Sequence, residues 1–245
     1  PSSAIYSSML GADRNTAAAY FGAFSNDLDF KAQNNSAIDS FMLANSVKNK
    51  NGAKRADIDT GVELWLLSSA SRVTSDNSAG GRLGTNAFTN LVGVDFLVGD
   101  SSKAGVFVGL GKTNHKLGDS KAVKSKDAHA GIYGDIGLDP IKISLGAIYS
   151  KFDQEKRVVN SYAPLAYEYK DADASAISAF AQIAYTGLSY ENGFSLEPYA
   201  GLTYIHSKND DVANSLVQVK NEDRDLQVAS VGIKPSIAFT MDGVG

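Results

Sequence analysis

The feature that most restricts what this chain can become is a two-residue alternation, repeated from about residue 60 to the end, between an apolar face and a face of small or polar side chains. In NAFTNLVGVDFLVG, Val92, Val94, Phe96 and Val98 share one face, while Gly93 and Asp95 interrupt the other. Residues 102–115 set Ala104, Val106, Val108 and Leu110 against Gly105, Phe107, Gly109 and Gly111. Residues 127–138 and 141–152 repeat the pattern, with Ile132, Ile136, Ile141, Ile143 and Leu145 opposite His129, Tyr133, Asp135, Lys142 and Ser144. Three more such stretches cover residues 174–191, 194–208 and 226–243. With GVELWLLSSASRV at residues 61–73 they predict eight strands, several well beyond the usual five or six residues.

The connections divide into two kinds. GDSS, DP and NG are tight turns, whereas SDNSAGGRLGTN, GDSKAVKSKD, EKRVVNSYAPLAYEYKDADA and SKNDDVANSLVQVKNEDRD are long and polar. Short and long connections alternate, so an antiparallel meander gathers the long loops at one end, as in outer-membrane barrels. Tyr149, Tyr185, Tyr190, Tyr199 and Tyr204 fall toward strand ends, where an amphipathic ring suits a membrane interface. A soluble barrel with its greasy face inward has the same alternation; strand length and loop asymmetry favour the membrane version. Glycines at 93, 109, 111, 131, 146 and 201 predict an interior that large side chains do not fill, one holding water or another segment.

Composition removes several classes. Twenty-three basic against 27 acidic residues give a net charge of -4, which supplies no basic surface for nucleic acid. The absence of cysteine removes disulfide scaffolds and thiolate chemistry. No run reaches the roughly 18 apolar residues of a membrane helix, a test to which barrel strands are blind.

The first 59 residues read differently. DRNTAAAYFGAF, residues 13–24, predicts one helix, and Ser36 with Asp39 opens a second, SAIDSFMLANSVKN. KNKNGAKRADID then reads as a polar linker. The expected division is a helical, pore-threading segment over residues 1–59 and a barrel over residues 60–245.

Taken in order, Gly61 and Trp65 in the first strand, Val92 to Asp95 in the second, the turn at Asp100 and the glycine-spaced third strand ending near His115 resemble the C-terminal translocator domain of autotransporters, the type V secretion proteins of Gram-negative bacteria. That resemblance implies an all-β, antiparallel, up-and-down transmembrane barrel of twelve strands, about eight of them within this chain, with a helix threading the pore. It implies a location in the bacterial outer membrane. It also implies as partners the membrane lipid, an N-terminal passenger exported to the cell surface and the barrel-assembly machinery, with no nucleic acid, no cofactor and no enzymatic turnover. By the same comparison the chain is expected to be a fragment, lacking a passenger in front and closing strands behind. A porin is the first alternative, disfavoured by the helical lead-in; a barrel enzyme or adhesin acting through its loops is the second.

Five inward-facing residues, Glu63, Asp95, Tyr133, Asp135 and Lys142, are the candidates for lining a hydrated pore and contacting the helix. Solvation by lumen water alone is the plain alternative. Some members of the family cut themselves at an Asn-Asn step, which singles out Asn34 and Asn35, although their flanks do not match and QNNS reads as a loop ending at Ser36. His115, His129 and His206 are expected at the solvated rim, without a nucleophile motif or a metal-binding pattern nearby.

Overall fold

A computed structural model describes residues 27–48, 50, 54–59, 61–76, 82–117, 121–159, 166–189, 193–213, 218–219 and 223–237. One helix, α1 (Asp27–Lys48), precedes the strands β1 (Lys54–Asp59), β2 (Val62–Asp76), β3 (Arg82–Val98), β4 (Ser102–Leu117), β5 (Lys121–Leu138), β6 (Ile141–Val159), β7 (Ala166–Tyr185), β8 (Leu188–Ser189), β9 (Phe194–Asn209), β10 (Val212–Ala213), β11 (Gln218–Val219) and β12 (Arg224–Ile237). The main sheet is an antiparallel meander in the order β1-β2-β3-β4-β5-β6-β7-β9-β12, with β8 beside β9 and β10 paired with β11.

The eight predicted strands are the eight long ones. The predicted loops are much shorter than expected. Residues 121–127 belong to β5, and the β4–β5 connection is only residues 118–120; likewise β6 and β7 run into residues predicted as loop. Polar strands on both faces carry no period-two signal, yet their backbones still pair with a neighbour. Lys54–Asp59, predicted as linker, pairs antiparallel with β2 for the same reason. The helix begins at Asp27 rather than Ser36, so QNNS lies inside it and not in a loop. The predicted helix over residues 13–24 lies outside the described residues.

Which face looks outward is settled by exposure. Val231 is 84% exposed, Leu110 71% and Ile132 62%, while Leu91, Phe107 and Ile148 on the opposite face are nearly inaccessible. Among the described residues, twenty-four large apolar side chains are exposed. Soluble monomers rarely show so continuous an apolar surface, whereas a lipid-facing band is made of one. Tyr149, Tyr185 and Tyr204 stand on this outer face, but Tyr199 does not: it turns inward beside Lys234, whose ammonium lies 4.9 Å from its ring. Tyr190 lies outside the described residues.

The inner face is fuller than its glycines suggest. Trp65 is the cross-strand partner of Gly93, Phe107 of Gly131, Tyr133 of Gly105 and Phe180 of Gly146. In each pair a Cβ on the glycine would fall within 2.5 Å of the opposite aromatic side chain. These glycines are therefore seats for rings reaching across the sheet, which corrects the expectation of an interior free of large side chains. Gly111 and Gly201 face polar neighbours instead, Thr89, Asp127 and His129 at the first and Ser230 at the second, all within 3.1–3.3 Å of where a Cβ would lie.

These rings converge on the helix. Leu43, Ala44 and Val47 of α1 share one core with Trp65, Leu91, Phe107, Tyr133, Ile148 and Phe180, drawn from β2 through β7. A second core joins Ala37 to Phe152, Ala174, Ala176 and Ile205. Six consecutive strands meet a single helix only if the sheet curls around it, so the other segment predicted for the interior is α1.

Gly131→Val should push the Phe107 ring off its seat, since the new Cβ would lie 2.4 Å from Phe107 Cε1. Overpacking of this kind costs about 1–3 kcal/mol. The expected outcome is a lower unfolding midpoint of the full-length protein in detergent, read from the mobility difference between heated and unheated samples; an unchanged midpoint would show that the ring has other room.

Candidate helix-docking site in the lumen

Just past the end of α1, Lys50 enters a cluster built by three of the five predicted residues. Strand alternation sends Trp65 of β2, Asp95 of β3, Lys103 of β4 and Tyr133 and Asp135 of β5 to the inner face at one level. Register fixes that level: Glu63 opposes Asp95, Asp95 opposes Gly105, Gly105 opposes Tyr133 and Lys103 opposes Asp135.

Asp95 is fully buried and central. The Trp65 indole N–H lies 3.0 Å from Asp95 Oδ1 and 2.6 Å from Tyr133 Oη, and the Tyr133 hydroxyl donates to the same carboxylate oxygen. Lys103 Nζ stands 3.3 Å from Asp95 Oδ2, and Lys50 Nζ stands 3.5 Å from it and 3.7 Å from Asp135 Oδ2. Ser144 Oγ donates to Asp135 Oδ1 at 2.6 Å. The Lys50 ammonium also lies 3.7 Å from the centroid of the Tyr133 ring, within cation–π range. Two ammonium groups face the Asp95 and Asp135 carboxylates, so the desolvation of each of these ions is offset by a partner.

Asp95, Tyr133 and Asp135 are thus brought together around the helix end. Glu63 sits beside them on the inner face of β2, half-buried and directly opposite Asp95. Lys142 is half-buried on the inner face of β6 and makes no ion pair with a described residue. Lys50, Lys103 and Ser144 were missed by sequence reasoning. Lys50 lay in what read as a linker, and nothing in the sequence links it to Asp95, 45 residues away.

Along the helix the contacts are polar as well. Lys48 Nζ donates to Thr203 Oγ1 of β9 at 3.2 Å. At the middle of the helix, Asp39 Oδ2 lies 3.1 Å from His115 Nε2, and His115 Nδ1 lies 2.8 Å from Thr85 Oγ1. Thr113 donates to Asp127 at 2.8 Å, and Ser125 donates to it also. His129 Nδ1 is 3.0 Å from Ser150 Oγ. His115 and His129 are therefore buried in the lumen wall and are not rim residues as predicted. His206 faces outward, 2.9 Å from Asp225.

Between α1 and strands β2 to β5 lies a cavity of about 210 Å³, with Asp39, Asn45, Ser69, Thr89, Asp127 and His129 in its lining. A volume of about 30 Å³ per liquid water makes it roomy enough for several, and the polar groups set among Met42, Leu43, Ala87 and Leu91 in its lining give them partners. Asn34 and Asn35 lie inside α1. Among the described residues no group of three or more His, Cys, Asp or Glu is arranged to hold a metal ion.

Residues 64–245 match the family model described as the autotransporter beta-domain. Two curated relatives, both named extracellular serine protease from Serratia marcescens, are 24% and 23% identical to this chain over 193 and 192 residues, 76% of its length. The matched region is 18% of each relative, so this chain spans about a fifth of the proteins it resembles. Among solved structures, the translocator domain of the autotransporter NalP from Neisseria meningitidis aligns with a TM-score of 0.68 at 15% identity, covering 85% of this chain and 73% of that one. The beta domain of the Bordetella autotransporter BrkA aligns at 0.61, also at 15% identity, covering 75% and 73%. These structural likenesses concern the fold.

Asp95→Ala should leave Lys50 and Lys103 short of a counter-charge and the indole N–H without its carboxylate. The expected loss is about 3 kcal/mol, the low end for a broken buried pair because lumen water reaches part of the cluster. Unfolding of the full-length variant in urea would measure it; Lys142→Gln, outside the cluster, should change stability by less than about 0.5 kcal/mol.

Proposed function

The chain belongs to the autotransporter beta-domain family and is a β-barrel domain of the outer membrane, and from that premise we propose that it anchors and exports an N-terminal passenger, with α1 as the stretch of chain left in the pore. The observation that carries this reading is the helix lying within the curl of the sheet and held by polar contacts at its middle and just past its C-terminal end: Asp39 to His115 at the first, Lys50 to Asp95 and Asp135 at the second.

Such contacts suit a segment that must first be absent and then stay. A greasy plug would adhere to any unfolded polypeptide in transit, whereas hydroxyl, amide and carboxylate groups exchange a passing chain for water at little net cost. Once export ends, the seated ion pairs and the Leu43–Val47 contacts hold α1 in place. Residues 1–59 are read as the threading segment and residues 60–245 as the barrel, with β1 docked along the edge of β2. Glu63 and Lys142 take the part of pore-lining charges that keep the lumen wet. The role is mechanical, and the passenger supplies whatever chemistry the whole protein performs. A porin reading is disfavoured by the same helix, because α1 occupies the space a solute would use.

Deletion of residues 27–48 from the full-length protein tests this. The barrel is expected to insert, the passenger to be lost from the cell surface, and single-channel conductance in a planar bilayer to rise several-fold. Unchanged conductance together with normal surface display would overturn the assignment of α1 as the translocated chain.

A further inference from the structure

Translocation makes no use of the charge on the β4–β5 hairpin. Residues 112–126 hold five lysines, Lys112, Lys116, Lys121, Lys124 and Lys126, against a single acid, Asp119, in a chain whose net charge is -4. Alternation sends Lys112, Lys116, Lys124 and Lys126 to the outer face, where all four are exposed. Lys112 and Lys126 are direct cross-strand partners, and Lys124 opposes Asn114 one step further along. Like charges opposed on one sheet face repel each other, so the Lys112–Lys126 pair costs stability that the acids opposite Lys126 and Lys124 on β6 only partly offset. Lys112, Lys124 and Lys126 make no ion pair or hydrogen bond with a described residue. With Asn114 they line a groove of about 270 Å³, bounded by Asp153 and Glu155 of β6.

Height on the barrel decides what can occupy it. On β4 the outward apolar run Val106, Val108 and Leu110 ends one outward position before Lys112. On β5 the run Ile132, Ala130, Ala128 ends one position before Lys126, and on β6 the exposed ring of Tyr149 is followed by Lys151. The groove therefore stands where headgroups replace acyl chains, at the end of the barrel away from the short turns. We propose that it binds the phosphate-bearing headgroup of a lipid in that leaflet. The lysine stems lie along the edge of the apolar band while their ammonium groups reach the phosphate. Asp153 and Glu155 oppose Lys126 and Lys124 from the far side and confine the anion to the β4–β5 side. Three lysines against two carboxylates leave the groove cationic, and Lys116 adds a fourth positive charge beside it on the outer face of β4. The proposal requires the outward orientation of these strands and is independent of passenger export.

The test is native mass spectrometry of the full-length protein in detergent with a bis-phosphorylated glycolipid, its dephosphorylated form, or phosphatidylcholine. Wild-type protein is expected to retain the phosphorylated lipid selectively. K112Q/K124Q/K126Q should lower that retention about fivefold or more, and K126Q alone by a smaller factor. Lys208→Gln, on the outer face of β9 but paired with Asp223, should leave retention unchanged. Equal retention of phosphorylated and dephosphorylated lipid by the wild type, a measurement needing no variant, would overturn the proposal. So would undiminished retention by a folded triple variant, or occupation by inorganic phosphate without any retention of the lipid.

Discussion

The constraint on which the rest depends is that hydrocarbon offers no hydrogen bonds, so each backbone N–H and C=O at membrane depth must find its partner on a neighbouring strand. Register over β2 to β12 is nearly continuous, with one irregularity, between Gln154 and Lys156, lying outside the apolar band. Once backbone pairing is obligatory, side chains are left with one choice each, lipid or lumen. Period two then follows from geometry, and the outward face becomes a run of Val, Ile and Leu.

The lumen has a harder task than a soluble core, because it must hold a helix without becoming a fully packed interior. Glycine and aromatic residues share that task as opposed pairs: the ring takes the space above the partner's missing side chain and lies flat against the wall. Trp65, Phe107 and Tyr133 also stand about 6 Å from one another, close enough for tilted ring contacts to add to the burial. The Trp65–Asp95–Tyr133 hydrogen bonds are a consequence, since rings laid flat bring the indole N–H and the phenol to one carboxylate. Asp95 is therefore both a wall residue, fixing two aromatic side chains, and a docking residue for Lys50.

Much of this architecture was legible because a membrane barrel obeys so few rules. The eight long strands, the outward Val92, Val94 and Phe96, and the inward Asp95, Tyr133 and Asp135 all follow from counting in twos. Where the rule stops applying, reading fails in a particular direction. Beyond the apolar band both faces are polar, so the ends of β5, β6 and β7 looked like loop although their backbones remain paired. Lys54–Asp59 is the same case at the edge of the sheet. His115 and His129 were assigned to the rim because the strands seemed to end there; once the strands continue, alternation itself places both in the wall. Tyr199 shows that an aromatic near a strand end says nothing of its face until parity is checked.

The helix was the least legible part, and the reason is physical. A helix in the curl of this sheet is under no pressure to segregate an apolar stripe from a charged one, because the inner face it packs against carries aromatic rings and polar groups side by side. Leu43 and Val47 pack with rings, Asp39 faces His115, and Lys48 reaches Thr203, so apolar and polar contacts are interleaved along the helix instead of being separated onto two faces. Amphipathic periodicity, the main signal for a helix in sequence, is therefore weak for α1 by virtue of its location. A stripe of leucine and valine strong enough to be recognised from the sequence would instead mark a helix meant for one apolar surface, and such a helix would fit a wet pore poorly.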